Sequence, residues 1–130
     1  MLRAQDLSYM GGYWSLVVGH REPLESPSQA MARELNEEAG LTVVPEKLAP
    51  LLTIHTAPEE GEGPEGERTD TYFEVSVAEL SGEPQNKEPE RCDEIRWFAE
   101  DALPENLMPR QRQALGYIAA GKTYVETGWQ

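Results

Sequence analysis

Residues 19–41, GHREPLESPSQAMARELNEEAGL, read as a glycine-led loop that runs into a short helix carrying three carboxylates near its end. Three signals mark the helix start at Ser26-Pro27-Ser28-Gln29: a hydroxyl N-cap, proline at the first helical position, and glutamine at N3 to complete a capping box. Gly40 supplies the stop, so the spacing predicts a helix over 27–39. On that helix Met31, Ala32, Leu35 and Ala39 make an apolar stripe, while Glu34, Glu37 and Glu38 cluster on an adjacent face.

The acidic cluster is uncomfortable by itself. Glu34 faces Glu37 and Glu38 at i+3 and i+4, where like charges repel by roughly 0.2–0.5 kcal/mol per pair. Glu37 and Glu38 also sit in the last turn, where the helix dipole disfavours anions. A bound cation reverses both penalties, and oxygen-only ligands suit Mg²⁺, with Mn²⁺ as a substitute, in company with substrate phosphates. For an isolated Glu-Glu pair in so acidic a chain, a solvated helix face is the simpler account; the surrounding pattern changes that balance.

Spelled out, the pattern is Gly19, five residues, Glu25, seven residues, Arg33-Glu34-Leu35, one residue, Glu37-Glu38, one residue, Gly40-Leu41. It resembles the signature of the Nudix hydrolases at every defined position. The resemblance implies an α/β fold, the Nudix α/β/α sandwich with a mixed β-sheet. It implies hydrolysis of a nucleoside diphosphate linked to X, by attack of water at phosphorus with divalent metal. Glu34, Glu37 and Glu38 match the family's metal ligands, and Arg33 and Glu25 the pair that locks loop to helix. Two positions depart from the family pattern. Val17-Val18 stands where Pro-Gly usually precedes the loop glycine, and Leu24 where glycine usually precedes the first glutamate. In the family a main-chain carbonyl at the position of Val18 often joins the metal shell.

Beyond this segment, 130 residues with 38% hydrophobic content suggest a single domain, residues 1–130. With 24 acidic against 11 basic residues the net charge is −13, which argues against long nucleic acid as a partner and leaves a small-molecule nucleotide. The single cysteine, Cys92, forms no intrachain disulfide, so a reducing cytoplasm is the natural compartment. No signal peptide and no apolar run long enough to cross a bilayer is present, so no membrane role is expected.

Leu2 to Gln5 resembles the end of a Nudix first strand, followed by a strand over 13–18. The family normally has a further strand, or most of one, before this point; either the chain begins late or a partner, for instance in a homodimer, covers the gap. Residues 41–44 and 48–55 read as strand material. Residues 69–78 alternate, with Phe73, Val75 and Val77 on one face and Tyr72 on the other. The acidic loop between, 58–68, fixes no geometry and has no expected catalytic role. Residues 95–98 are expected as a strand and 109–120 as a helix with Leu115, Ile118 and Ala119 on its apolar side, stopped by Gly121. Residues 123–130 pack on this subunit or a neighbour.

Glu83 to Trp97, EPQNKEPERCDEIRW, resembles a stretch of MutT-like Nudix enzymes that cleave nucleoside triphosphates to monophosphate and pyrophosphate. The resemblance makes Glu88 an extra metal ligand or base, with Glu90 and Glu83 as competitors and ordinary loop charge as the alternative. Arg3, His20, Tyr72 and Trp97 are candidate substrate contacts; Trp97 and Tyr72 could equally serve the core, and Arg3 and His20 the surface. The preferred activity is Mg²⁺-dependent pyrophosphohydrolysis of a nucleoside or deoxynucleoside triphosphate. The alternatives are ADP-ribose, a nucleotide sugar, or a catalytically silent nucleotide-binding module.

Overall fold

In the computed structural model, which describes residues 1–130, the first helix, α1, spans Pro27–Ala39. Its N-cap is the expected capping box: Ser26 Oγ accepts from Gln29 N at 3.2 Å, and Gln29 Oε1 accepts from Ser26 N at 2.8 Å. Gly40 ends it at φ 69°, a left-handed conformation that glycine takes without a Cβ penalty. The buried residues of α1 are Ala30 and Ala39. Ala30 falls outside the apolar stripe read from the sequence, and Met31 and Leu35 are half-buried.

Five strands accompany it: β1 (Leu2–Arg3), β2 (Ala49–Thr56), β3 (Arg68–Glu74), β4 (Cys92–Glu94) and β5 (Tyr124–Thr127). They form two sheets. One pairs β1 with β4; the other has the order β3-β2-β5. The second sheet is mixed, since β2 runs antiparallel to β3 and parallel to β5. A second helix, α2 (Pro109–Ala119), packs on this sheet. Leu52, Ile54 and Ala114 form the centre of the core, ringed by Tyr72, Tyr117, Ile118 and Val125. Burying Leu52 and Ile54 contributes about 1.5–3 kcal/mol each. Residues 124–127 therefore add a strand to this same chain.

Several elements depart from expectation. Residues 13–18 form no ladder: Trp14 alone bridges Leu2 and Leu107. The segment's backbone is held by separate bonds on both sides: Arg3 N donates to Tyr13 O (2.9 Å) and Ser15 N to Met1 O (2.7 Å) on the β1 side. Trp14 N donates to Asn106 O (2.8 Å), and Leu16 N to Gln111 Oε1 (2.7 Å), on the first turns of α2. Residues 41–44 show the alternating burial of a strand, with Leu41 and Val43 inside, yet only Thr42 pairs, with Ser81. The long strand ends at Glu74, four residues early, because Ser76 caps a 3-10 turn over Val77–Glu79. Val77 is consequently exposed rather than inward.

Residues 95–98 are not a strand either; the ladder occupies Cys92–Glu94, and β1 has only two residues to offer it. The buried tryptophan is Trp14, which meets Phe98 edge-to-face at 4.8 Å. On α2 the buried residues are Gln111 and Ala114, while Ala119 is exposed. Gln111 lies inside because both ends of its amide find a partner: Oε1 takes Leu16 N, and Nε2 donates to Ser15 Oγ at 3.1 Å.

Candidate active site

The loop of residues 19–26 is fastened to α1 by one guanidinium. Arg33 donates from Nε to Glu25 Oε1 (2.8 Å) and from Nη2 to Glu25 Oε2 (3.1 Å), a bidentate pair. The same Nη2 reaches His20 O at 3.0 Å. Nη1 donates to Glu34 Oε1 (2.9 Å) and to Glu37 Oε2 (3.1 Å). These bonds hold the Glu25 carboxyl below its usual range and push the Arg33 pKa further above its ordinary value. Gly19 closes the loop against the helix. A Cβ there would overlap the Glu34 carboxylate, so glycine is what lets that side chain stand against the loop in its present position.

The turn before Glu25 is strained. Glu25 N donates to Glu22 O (3.2 Å) across Pro23-Leu24, and Leu24 has φ 66°. Proline followed by a positive-φ residue is the type II arrangement, which favours glycine at the second place. The Leu24 side chain is wholly exposed and gains no packing in return. Leu24→Gly is expected to stabilise the protein by about 1 kcal/mol, read as a raised urea midpoint with unchanged slope. An unchanged or lower midpoint would show that the turn is not strained.

At the other end of α1, a loop supplies what the helix lacks. Gln85 N donates to Ala39 O (2.9 Å) and Lys87 N to Glu38 O (3.3 Å), satisfying two terminal carbonyls. Asn86 braces this loop: its Nδ2 donates to Cys92 O (2.6 Å), and its Oδ1 accepts from Glu88 N (3.2 Å). Glu88 is thereby carried to Glu38. The two line a cavity of about 40 Å³ together with Arg3, Val18, Arg91 and the Ser15–Leu16 segment. Burial, reinforced by Glu34 and Glu88 and opposed by Arg91, pushes Glu38 up to about 7.

The structure thus brings Glu38, Glu88, Val18 and Arg3 to one cavity, with Glu34 beside it. Glu37 is turned outward to Arg33, and its side chain is half-exposed. As they stand, no three carboxylates converge on a common point. His20 contributes its carbonyl to Arg33. Two of the candidate substrate contacts lie elsewhere. Tyr72 packs on the β2–α2 core, where burial pushes its phenol up to about 12; Trp97 is 64% exposed and lines neither main cavity. Sequence reasoning missed Arg91. Its only signal is a cation three residues after Glu88, which acquires meaning once Arg91 N and Cys92 N both close back on Glu88 O at 2.9 Å.

In its chemistry the donor set suits a divalent cation, although the side chains as placed do not converge on one. It is all oxygen, and the crowding of Glu38 by Glu34 and Glu88 is a repulsion that a cation would relieve. Glu34, Glu38 and Glu88 would hold it, joined by Glu37 on release from Arg33 Nη1. Arg33 would keep Glu25 through its other two nitrogens.

A model of the NUDIX domain matches residues 1–117. Among solved structures, a MutT NUDIX hydrolase from Burkholderia pseudomallei superposes with a TM-score of 0.71 at 28% identity, over 88% of this chain and 81% of that one. A Mycobacterium tuberculosis protein provisionally named 8-oxo-dGTP diphosphatase 3 is 35% identical over 100 residues, 75% of this chain and 42% of its own length. The NAD-capped RNA hydrolase NudC of Stutzerimonas stutzeri is 28% identical over 118 residues, 91% of this chain and 38% of its own length. The chain belongs to the Nudix family. It spans about two-fifths of the length of these two curated relatives. None of its helices is long and apolar enough to cross a membrane.

Proposed function

We propose that residues 1–130 form one Nudix domain that hydrolyses a nucleoside or deoxynucleoside triphosphate to monophosphate and pyrophosphate, with Mg²⁺, in a reducing cytoplasm. The observation that carries this reading is the meeting of Glu38 and Glu88 with Arg3 and Arg91 around one cavity, at the end of a helix that also presents Glu34. Carboxylates and guanidiniums there have separate tasks. Arg91 binds phosphate oxygens by charge-assisted hydrogen bonds, joined by Arg3 once its Nε and Nη2 leave the Tyr9 carbonyl to which they donate at 3.1 and 3.0 Å. Glu38 or Glu88 takes the proton of the attacking water. A divalent ion, when bound, neutralises phosphate charge and lowers the pKa of water. Arg33 and Glu25 touch no substrate; they set where Glu34 and Glu37 stand.

The relatives' names widen the list of guests to 8-oxo-dGTP and NAD-capped ends, so X is best tested directly. Purified protein with Mg²⁺ is offered nucleoside triphosphates, 8-oxo-dGTP, ADP-ribose, a nucleotide sugar and NAD, with pyrophosphate and monophosphates measured separately. Pyrophosphate release from a triphosphate, abolished by EDTA, is the expected result. Turnover of ADP-ribose or the sugar alone would reassign X, and nucleotide binding without any turnover would make the chain a silent module.

A further inference from the structure

Away from the carboxylate cavity, a larger cleft of about 480 Å³ opens between α2 and the β3-β2-β5 sheet. Arg110, Gln113 and Tyr117 line it from α2, at the three- and four-residue spacing that places side chains on one helical stripe. Arg68 and Asp70 line it from β3, two residues apart and therefore on one face of the sheet. Glu59 joins them from the hairpin loop.

The polar groups of this cleft are unevenly satisfied. Gln113 Nε2 donates to Tyr117 Oη at 3.1 Å. Arg68 Nε, by contrast, is buried and has no hydrogen-bond partner. The carboxylate beside it, Asp70 Oδ2, stands 3.9 Å away, beyond hydrogen-bond reach. A guanidinium N–H without an acceptor is costly in a native protein, and although Nε itself is enclosed, the Arg68 side chain as a whole is about a third exposed and lines the cleft, where it is open to an oxygen that the chain does not itself supply. Arg110 brings a second guanidinium to the same space. It stands in the first turn of α2, which holds no acidic residue and has no side-chain cap, so the field at this end of the helix also favours an anion.

We propose that this cleft binds a small oxyanion-bearing molecule. Its phosphate or carboxylate oxygens accept from Arg68 and Arg110, and its hydroxyl or N–H groups donate to Asp70 and Glu59. Two arginines against two acids leave the cleft near neutral, so affinity comes from directed hydrogen bonds more than from net field. The site is independent of nucleotide hydrolysis and stands or falls separately from it.

The test is calorimetric titration of the metal-free protein, in EDTA, with inorganic pyrophosphate and in parallel with succinate. Binding of one or both is expected, and the stronger of the two identifies the oxyanion. Arg68→Gln and Arg110→Gln should each weaken it at least about tenfold, the usual worth of a charge-assisted pair. Arg91→Gln removes at most a separate binding event in the carboxylate cavity and should leave the affinity of the Arg68–Arg110 event within about twofold. Should Arg68→Gln not fold, Arg110→Gln on the helix surface decides alone. No binding of either probe would overturn the proposal. So would unchanged affinity in the Arg110 variant, or a loss confined to Arg91→Gln, which would place the anion among the glutamates.

Discussion

Glu38→Gln is expected to lower kcat by more than about a hundredfold with little change in fold. The magnitude follows from comparison: groups that merely orient metal ligands are worth about 10–100-fold, so a ligand or proton acceptor in direct contact is worth more. The same variant should be the more stable protein when metal is absent. The Glu38 carboxyl is raised to about 7 from an ordinary value of 4.5, by burial and by Glu34 and Glu88. The folded state therefore holds that proton more tightly than the unfolded chain does. Ionisation costs stability as pH rises from about 4.5 to 7, and the whole cost is present above 7. Glutamine carries no such cost. Discounted for the partial exposure of Glu38, the gain is about 1–2 kcal/mol at pH 8 and vanishes near pH 4. Urea unfolding in EDTA at the two pH values checks it; a variant no firmer than the parent at pH 8 would mean that the carboxyl is not crowded as described.

Arg33→Lys is the second large effect. Arg33 makes five hydrogen bonds from three nitrogens, to both oxygens of Glu25, to Glu34, to Glu37 and to the His20 carbonyl. An ammonium keeps the charge and cannot reproduce the fork. Loss of about 10–100-fold in kcat/KM is expected, accompanied by weaker Mn²⁺ binding and a lower melting temperature, because the loop comes free of the helix while Glu34 and Glu37 lose their positions. Glu25→Ala should act in the same direction on both readouts. The discriminating result is metal affinity: a lysine variant that binds Mn²⁺ as tightly as the parent would show that the fork locks the loop without placing the acids.

What was legible beforehand was what local chemistry decides. Ser26, Pro27, Gln29 and Gly40 specify the limits of α1 by hydrogen bonds within a few residues, and those limits are found as read. The extended segments were harder, because a strand is defined by its neighbour. Residues 13–18 and 95–98 have the composition of strands, but β1 and the loop before α2 offer them no continuous partner. Burial of Tyr72 and exposure of Trp97 were likewise decided by tertiary placement. Alternation says that the two faces differ and does not say which of them meets α2. Arg91 reached the cavity through a turn closed by Glu88, which no periodicity announces. Leu24 is the reverse case: the sequence marks it as unusual, and only its φ shows the strain.

The bonds from Gln85 and Lys87 to the end of α1 are made by main chain alone. Side chains at those two positions are therefore free to drift without loosening the clasp, whereas proline is barred from both. Segments exchanged between homologues across 83–91 that keep Asn86 would inherit the same docking and bring their own acid to the glutamate at the helix terminus. Evolution, or an engineer, could in this way retune the proton chemistry of the centre while leaving its scaffold untouched.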